Sequence, residues 1–415
     1  MRAYASSRRV AGIAAVVTLA VGALGGAAAA AAAPSTWLQL GSGSGHTSVN
    51  PNEKTLRRSN VASLTRRWKI PLGTPETGPA SLPVVAHGDV FEAAGSTIVA
   101  VHLAGGSTAW AFIAPAFVTD PVVAGDTLYT FAAGQLFALN ARTGAVRRRT
   151  PMIDTEGLVY AHGVLYTEPA EFTDDLAAYR ASDGHLIWQV AVDGPVNAPP
   201  AVGHGRVIGI ETTTAGWMAE AYRTADGSRL WSRRIRPEPN SEPVISRNSV
   251  IIATASIGTV NAGLTRLNAR TGAVVWSRTL RTPGLVNSAP AVFHGRVFQT
   301  EEGSFCIGGR ATSTVTVRKV STGAQVWSRL YENIPCSQFH LVATEQRSPV
   351  VANHLVYLSE LNGKRIRVYT TSGKLAAVVP TGQFTMSTPV VAAGHVVVCT
   401  WGTTANEGFV QAFAP

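Results

Sequence analysis

The sequence is poor in charge, in lysine and in cysteine. Only 14 % of its 415 residues are Asp, Glu, Lys or Arg, whereas 46 % are hydrophobic. That balance excludes a disordered chain, and with 40 Gly and 23 Pro it favours a buried, turn-rich β protein over a helical one. The formal net charge is +10, but Arg2, Arg8 and Arg9 sit at the extreme N-terminus. No window interleaves arginines with aromatics, so nucleic acid is not expected as a partner. Three cysteines occur, Cys306, Cys336 and Cys399, none adjacent to another. A lipid-modified N-terminal Cys and a C-x-x-C-H haem site are therefore excluded. H-E-x-x-H, G-x-S-x-G and the phosphate-binding P-loop are absent as well. "GSGSG" at 41–45 has Gly43 where a nucleophilic Ser would stand, and reads as a linker. Beyond Ala33 no run is apolar enough to cross a bilayer.

What is present begins with an N-terminal address. A basic segment ending in Arg8-Arg9 precedes an uncharged stretch from Val10 to Ala33 with several A-x-A sites. This is the pattern of a secretory signal peptide over residues 1–33, partly matching a twin-arginine signal. Retention of the stretch as an anchor is the alternative. The protein is thus expected to be secreted or held at the cell surface of a bacterium. In that oxidising setting Cys306 and Cys336 could clip one long insertion, and Cys399, inside "HVVVCTW", reads as a buried thiol.

The rest of the chain repeats. "LNARTGAVVW" at 267–276 has a near copy, "LNARTGAVRR", at 139–148. Aligned on the Gly, a Trp follows four residues later in five copies: Gly106 and Trp110, Gly184 and Trp188, Gly227 and Trp231, Gly272 and Trp276, Gly323 and Trp327. Gly144 and Gly373 keep the turn but lead to Arg148 and Ala377. A period of this size belongs to propeller blades of four strands, with insertions in the loops. Each unit opens on a short apolar run, usually after Pro, as in "PVVAHGDVF" at 83 and "PAVFHGRVF" at 290. Such a run predicts an innermost strand covered on both faces. Eight units result, the last lacking its outer strand, which "LTRRWKIPL" at 64–72 with Trp68 would supply. The expectation is an all-β, eight-bladed β-propeller over residues 63–415, closed by an N-terminal strand, with 34–62 as a lead-in. The glycine turn then joins the two outer strands, and each Trp packs on the neighbouring blade.

The A-L-N-A-R-T-G-x-x-x-W pattern resembles the tryptophan-docking repeat of the PQQ-repeat, quinoprotein dehydrogenase-like β-propellers. The lead-in "WLQLGSGSGHTSVNPNEKTLRRSNVASLTRRWKIPL" resembles that family's approach to its first blade. The resemblance implies the fold, but it leaves two kinds of activity open. Some members are PQQ- and Ca²⁺-dependent alcohol or sugar dehydrogenases; others bind no cofactor and act as scaffolds, including a lipoprotein of outer-membrane protein assembly. A dehydrogenase of the family would carry vicinal cysteines against the quinone, and this chain has none.

Candidate site residues follow from ring geometry. Residues just before each innermost strand gather around one mouth of the central channel: Asp120, Glu156, Asn197, Asn240, Glu242, Asn287, Gln346 and Arg347. Amides, acids and one Arg facing a common axis suit a polar ligand or a peptide tip; the competing role is to satisfy backbone groups at the turns. Six histidines (His87, His162, His204, His294, His354, His395) recur in the first turn of a blade and are read as turn residues, too dispersed for one ion. Glu168, Glu171, Asp174 and Asp175 are read as a solvated loop, and Glu301 and Glu302 likewise. The expected protein is a monomeric, non-catalytic scaffold without a cofactor or metal, binding a protein or cell-envelope partner. A PQQ-dependent oxidoreductase is the alternative.

Overall fold

A computed structural model describes residues 35–72, 82–169, 175–192, 198–239, 241–254, 262–279, 288–302, 310–335, 347–360, 362–402 and 407–415. Residues 34–415 form one compact unit. The apolar triplets open eight sheets in chain order: Val84–Ala86, Val122–Ala124, Ala201–Gly203, Val244–Ser246, Ala291–Phe293, Val350–Ala352 and Val390–Ala392, with Thr155–Ala161 opening the third. Within each sheet the strands run antiparallel from the innermost outward. Neighbouring innermost strands touch in sequence, and the last touches the first, so the sheets close into an eight-bladed propeller.

Closure of blade 8 uses both ends of the unit. Thr65–Pro71 pairs antiparallel with Gly408–Ala414, Trp68 opposite Ala412, and removes an edge that would otherwise lie open. Blade 3, whose opening run lacks Pro, has a longer first strand, interrupted by a bulge at Glu156 between Thr155 and Gly157. A fifth strand, Val49–Asn50, lies parallel to Val350–Ala352 on the axial side of blade 7.

The rim explains the glycine and the tryptophan together. Gly106, Gly144, Gly227, Gly272, Gly323 and Gly373 all adopt φ between 68 and 86°, where a side chain is strained. A Cβ on each would also lie 2.5–2.9 Å from Trp68, Trp110, Trp188, Trp231, Trp276 or Trp327 of the preceding blade. Each indole N–H donates to a carbonyl of the same neighbouring turn region: Leu103, Ala141, Thr224, Ala269, Val320 and Thr371 respectively. An indole of this kind buries on the order of 150 to 250 Å² and satisfies its one donor.

Two seams depart from this scheme, each for a local reason. In blade 2 the Arg148 guanidinium takes the place of the indole, donating to the Ala181 carbonyl at 3.0 Å and also to the Ser182 carbonyl. Thr150 rather than an aromatic then underlies Gly184. Ala377 in blade 7 faces the place where the chain ends meet, Arg67 donating to the Pro415 carbonyl. Instead of a turn glycine, Leu56, Val61 and Leu64 of the lead-in pack in one cluster with Ala377 and Val379.

Candidate functional site

Each innermost strand pairs with its own blade on one side only. The backbone groups of its middle residue point at the axis, where a buried unpaired N–H or C=O is costly. The lead-in supplies the partners, one blade after another. Trp37 exchanges both backbone bonds with Val85 of blade 1, and the Leu38 carbonyl accepts from Val123 N of blade 2 at 2.9 Å. The Gln39 amide bonds Tyr160 N and O of blade 3 at 2.8 and 3.0 Å. Carbonyls of Ser44, Gly45, Thr47 and Ser48 then accept from Val202, Ile245, Val292 and Val351 of blades 4 to 7. Finally Asn50 Nδ2 donates to the Val391 carbonyl of blade 8 at 2.8 Å, and to the Thr36 carbonyl at 3.0 Å, closing the circle on its own start. A segment in touch with all eight innermost strands lies on the axis of the ring they enclose.

The stretch read as a linker is therefore this axial segment. Residues 41–48 fold tightly, with Gly41, Ser42, His46 and Ser48 at φ of 64, 71, 53 and 50°. Three of the four are not glycine, so the conformation is held by its surroundings. A Cβ at Gly45 would sit 2.6 Å from the Ile245 carbonyl oxygen, and one at Gly41 2.5 Å from His46 Cα; at Gly43 it would meet nothing. The chain leaves the axis on the side of the first turns, Thr55 packing on Gly394 and the Leu56 carbonyl accepting from Asn353 Nδ2. Buried Glu53 fixes this exit, accepting from Ser35 Oγ, Thr55 N, Leu56 N and Gly394 N.

The opposite mouth holds the candidate residues. Asp120 and Arg347 are half-buried, Glu156 is exposed on its bulge, and Glu242 is buried. They stand at the starts of blades 2, 7, 3 and 5. Asn197, Asn240, Asn287 and Gln346 lie outside the described residues, as do Cys306 and Cys336. A set of buried hydroxyls, not singled out from the sequence, stands in the same places. Ser241, Ser288 and Ser387 each precede a Pro by two positions, a pattern visible as "SEP", "SAP" and "STP". Ser288 Oγ meets Thr300 Oγ1 at 2.6 Å, Ser387 Oγ accepts from Cys399 N, and Thr388 Oγ1 accepts from Ser348 N. These hydroxyls tie the start of one strand to its neighbours.

Electrostatically the axis and the mouth meet at blade 5. His46 is wholly buried. Burial lowers its pKa to about 4, a hydrogen bond with the Pro243 backbone opposing. One residue before that proline, burial raises the Glu242 carboxyl to about 7, a hydrogen bond with its own backbone opposing. In blade 4, Tyr222 O–H lies 2.7 Å from Glu211 and 2.6 Å from Glu220, both buried; burial first, then these carboxyls, holds its hydroxyl far above the usual tyrosine range. Five of the six recurring histidines occupy left-handed turn positions, whereas His395 begins its strand. Glu301 corrects the expectation of a solvated loop: it lies buried in the strand Arg296–Glu302, near Arg318.

Residues 47–150 and 153–311 match the sequence profile of a PQQ-repeat family described as outer membrane protein assembly factor BamB. The chain belongs to that family of PQQ-repeat propellers. No curated protein matches it by sequence. Among solved structures it is similar to BamB from Moraxella catarrhalis, at 15 % identity and TM-score 0.58, covering 85 % of this chain and 98 % of that one. It is also similar to the quinohemoprotein alcohol dehydrogenase from Comamonas testosteroni, at 13 % and 0.66, covering 91 % and 80 %. A europium-containing methanol dehydrogenase aligns at 11 % and 0.66, covering 92 % and 98 %. Identities this low carry the fold and nothing finer.

No two cysteines are adjacent in the sequence. Among the described residues, no three of His, Cys, Asp and Glu stand together as a metal group. Cys399 is a buried thiol whose Sγ lies 3.5 Å from Glu92 across the seam between blades 8 and 1.

Proposed function

We propose that this propeller is an exported, monomeric, non-catalytic scaffold that binds a protein partner of the cell envelope at the mouth formed by the strand starts, without PQQ or Ca²⁺. The observation that carries this reading is the mouth itself. Its described buried hydroxyls bond to the protein's own strands and turns, and the described acids and the Arg stand at the starts of four different blades. Such a rim of dispersed polar groups suits contact with a partner's extended or polar tip better than chemistry at one atom. The N-terminal signal-like segment supports export.

The test is a thermal-shift titration with PQQ and Ca²⁺, separately and together, beside dye-linked assays of alcohol and sugar oxidation. Unchanged melting and no turnover are expected; a joint rise in Tm with turnover would replace the scaffold by an oxidoreductase. A photo-crosslinking residue at exposed Glu156 is expected to trap an envelope protein in intact cells, while one at exposed Arg147 on the rim is not.

A further inference from the structure

We infer that the axis of this propeller is a peptide-binding site, specific for a tightly folded Gly- and Ser-rich segment, and that residues 37–50 are its built-in occupant. The inference holds whether or not the opposite mouth binds a partner. Its basis is the uniformity of the contacts. In seven blades the bonded residue is the middle one of the innermost triplet, and in blade 3 it is Tyr160, one before the strand's end. Seven of these residues offer an axial N–H, so the ring presents a circle of donors, and blade 8 adds the Val391 carbonyl.

What fills that circle is chosen for shape and not for charge. Between Trp37 and Asn50 the segment carries no Lys, Arg, Asp or Glu. Its bonds to blades 2 and 4–7 run through main-chain carbonyls, which any residue provides. Specificity resides where the backbone comes closest: at Gly45, which lacks room for a methyl group beneath the Ile245 carbonyl, and at Gly41 against His46. Asn50 adds a side-chain reading of blade 8, and Gln39 one of blade 3. The exit over residues 51–59 is largely exposed and joins the occupant to the rest of the chain by a single covalent path. A ligand bound by many hydrogen bonds and tethered once has the effective concentration of an intramolecular partner.

The experiment cuts that tether after folding. A tobacco-etch-virus protease recognition sequence is inserted between exposed Arg58 and Ser59 of the full chain; the folded protein is cleaved, then incubated with a fluorescein-labelled peptide of residues 35–58. The fragment ending at Arg58 is expected to co-elute with the ring, and the labelled peptide to exchange into it. Unlabelled peptide with Gly43→Ala should compete like the natural one. Gly45→Ala and Asn50→Ala peptides should compete on the order of 10- to 100-fold more weakly, as a backbone clash and the loss of the Asn50 side-chain bonds imply. Because these substitutions lie in the peptide, folding of the ring is not at stake. Loss of the melting transition on cleavage, or equal uptake of all four peptides, would overturn the site.

Discussion

At the rim, six indoles each rest on the turn glycine of the next blade and bond one carbonyl there; at the axis, a single segment bonds all eight blades. Rim contacts are pairwise, so each one acts on its own seam. Axial contacts share one chain, so a change in residues 37–50 reaches every blade through a common element. The two departures at the rim sharpen the contrast. Arg148 replaces an indole with a guanidinium on an equivalent carbonyl, and the Ala377 seam is repaired by Leu56, Val61 and Leu64 of the same lead-in that runs along the axis. Axis and rim thus meet at blades 7 and 8.

The largest expected effect breaks the rim. Trp276→Ala removes a buried indole and should cost about 3 to 5 kcal/mol in chemical denaturation. If rim contacts are pairwise, its cost should add to that of Trp110→Ala, four blades away, within about 0.5 kcal/mol. Next comes the axis, through protons. His46 has a folded pKa depressed from 6.5 to about 4, so its contribution is present above 6.5 and is lost as pH falls toward 4. Glu242 has a folded pKa raised from 4.5 to about 7, so its contribution is present below 4.5 and is lost as pH rises toward 7. The two oppose each other between 4.5 and 6.5. Relative to the parent, His46→Gln should lose stability on going from pH 4.5 to 6.5, and Glu242→Gln should gain it, each by roughly 2 kcal/mol. Parallel curves for the parent and both variants would remove the buried pair from the account.

Smaller effects separate backbone fit from side-chain contact. Gly45→Ala is expected to destabilise by about 1 to 3 kcal/mol, and Asn50→Ala by a similar amount, while Gly43→Ala stays within about 0.5. Equal Tm values for the two glycine variants would undo the axial register. Arg148→Ala should cost only about 1 kcal/mol, since Tyr129 also donates to the Ala181 carbonyl.

The rim was legible because its chemistry lives in side chains and in a backbone conformation that favours glycine. The spacing of Gly272 and Trp276 states which turn is tight and which ring covers the next one. Closure of blade 8 by the strand around Trp68 was legible for the same reason, a Trp without a blade. The axis left almost no trace, since carbonyls of Leu38, Ser44, Thr47 and Ser48 would serve equally from other residue types. Only the glycines of "GSGSGH" hinted at close approach, and glycines also spell a linker. Glu301 was misplaced because the strand of blade 6 runs on to Glu302 where a loop was expected. Glu156 stands out at the mouth because a bulge lifts it from the register, a device that the missing Pro alone does not announce.

Asn50 and Val391 are 341 positions apart, and Trp68 finds its strand partner, Ala412, near the other end of the chain. In a protein read out from its N-terminus, the axial segment is made first and secured last, after every blade exists. Contacts of such high sequence separation make assembly slow. Once both locks have closed, blade 8 is held by strands from both ends of the unit, and loss of structure must begin by opening the circle as a whole. The time needed for that opening, and not only the depth of the equilibrium, then sets how long the folded protein lasts.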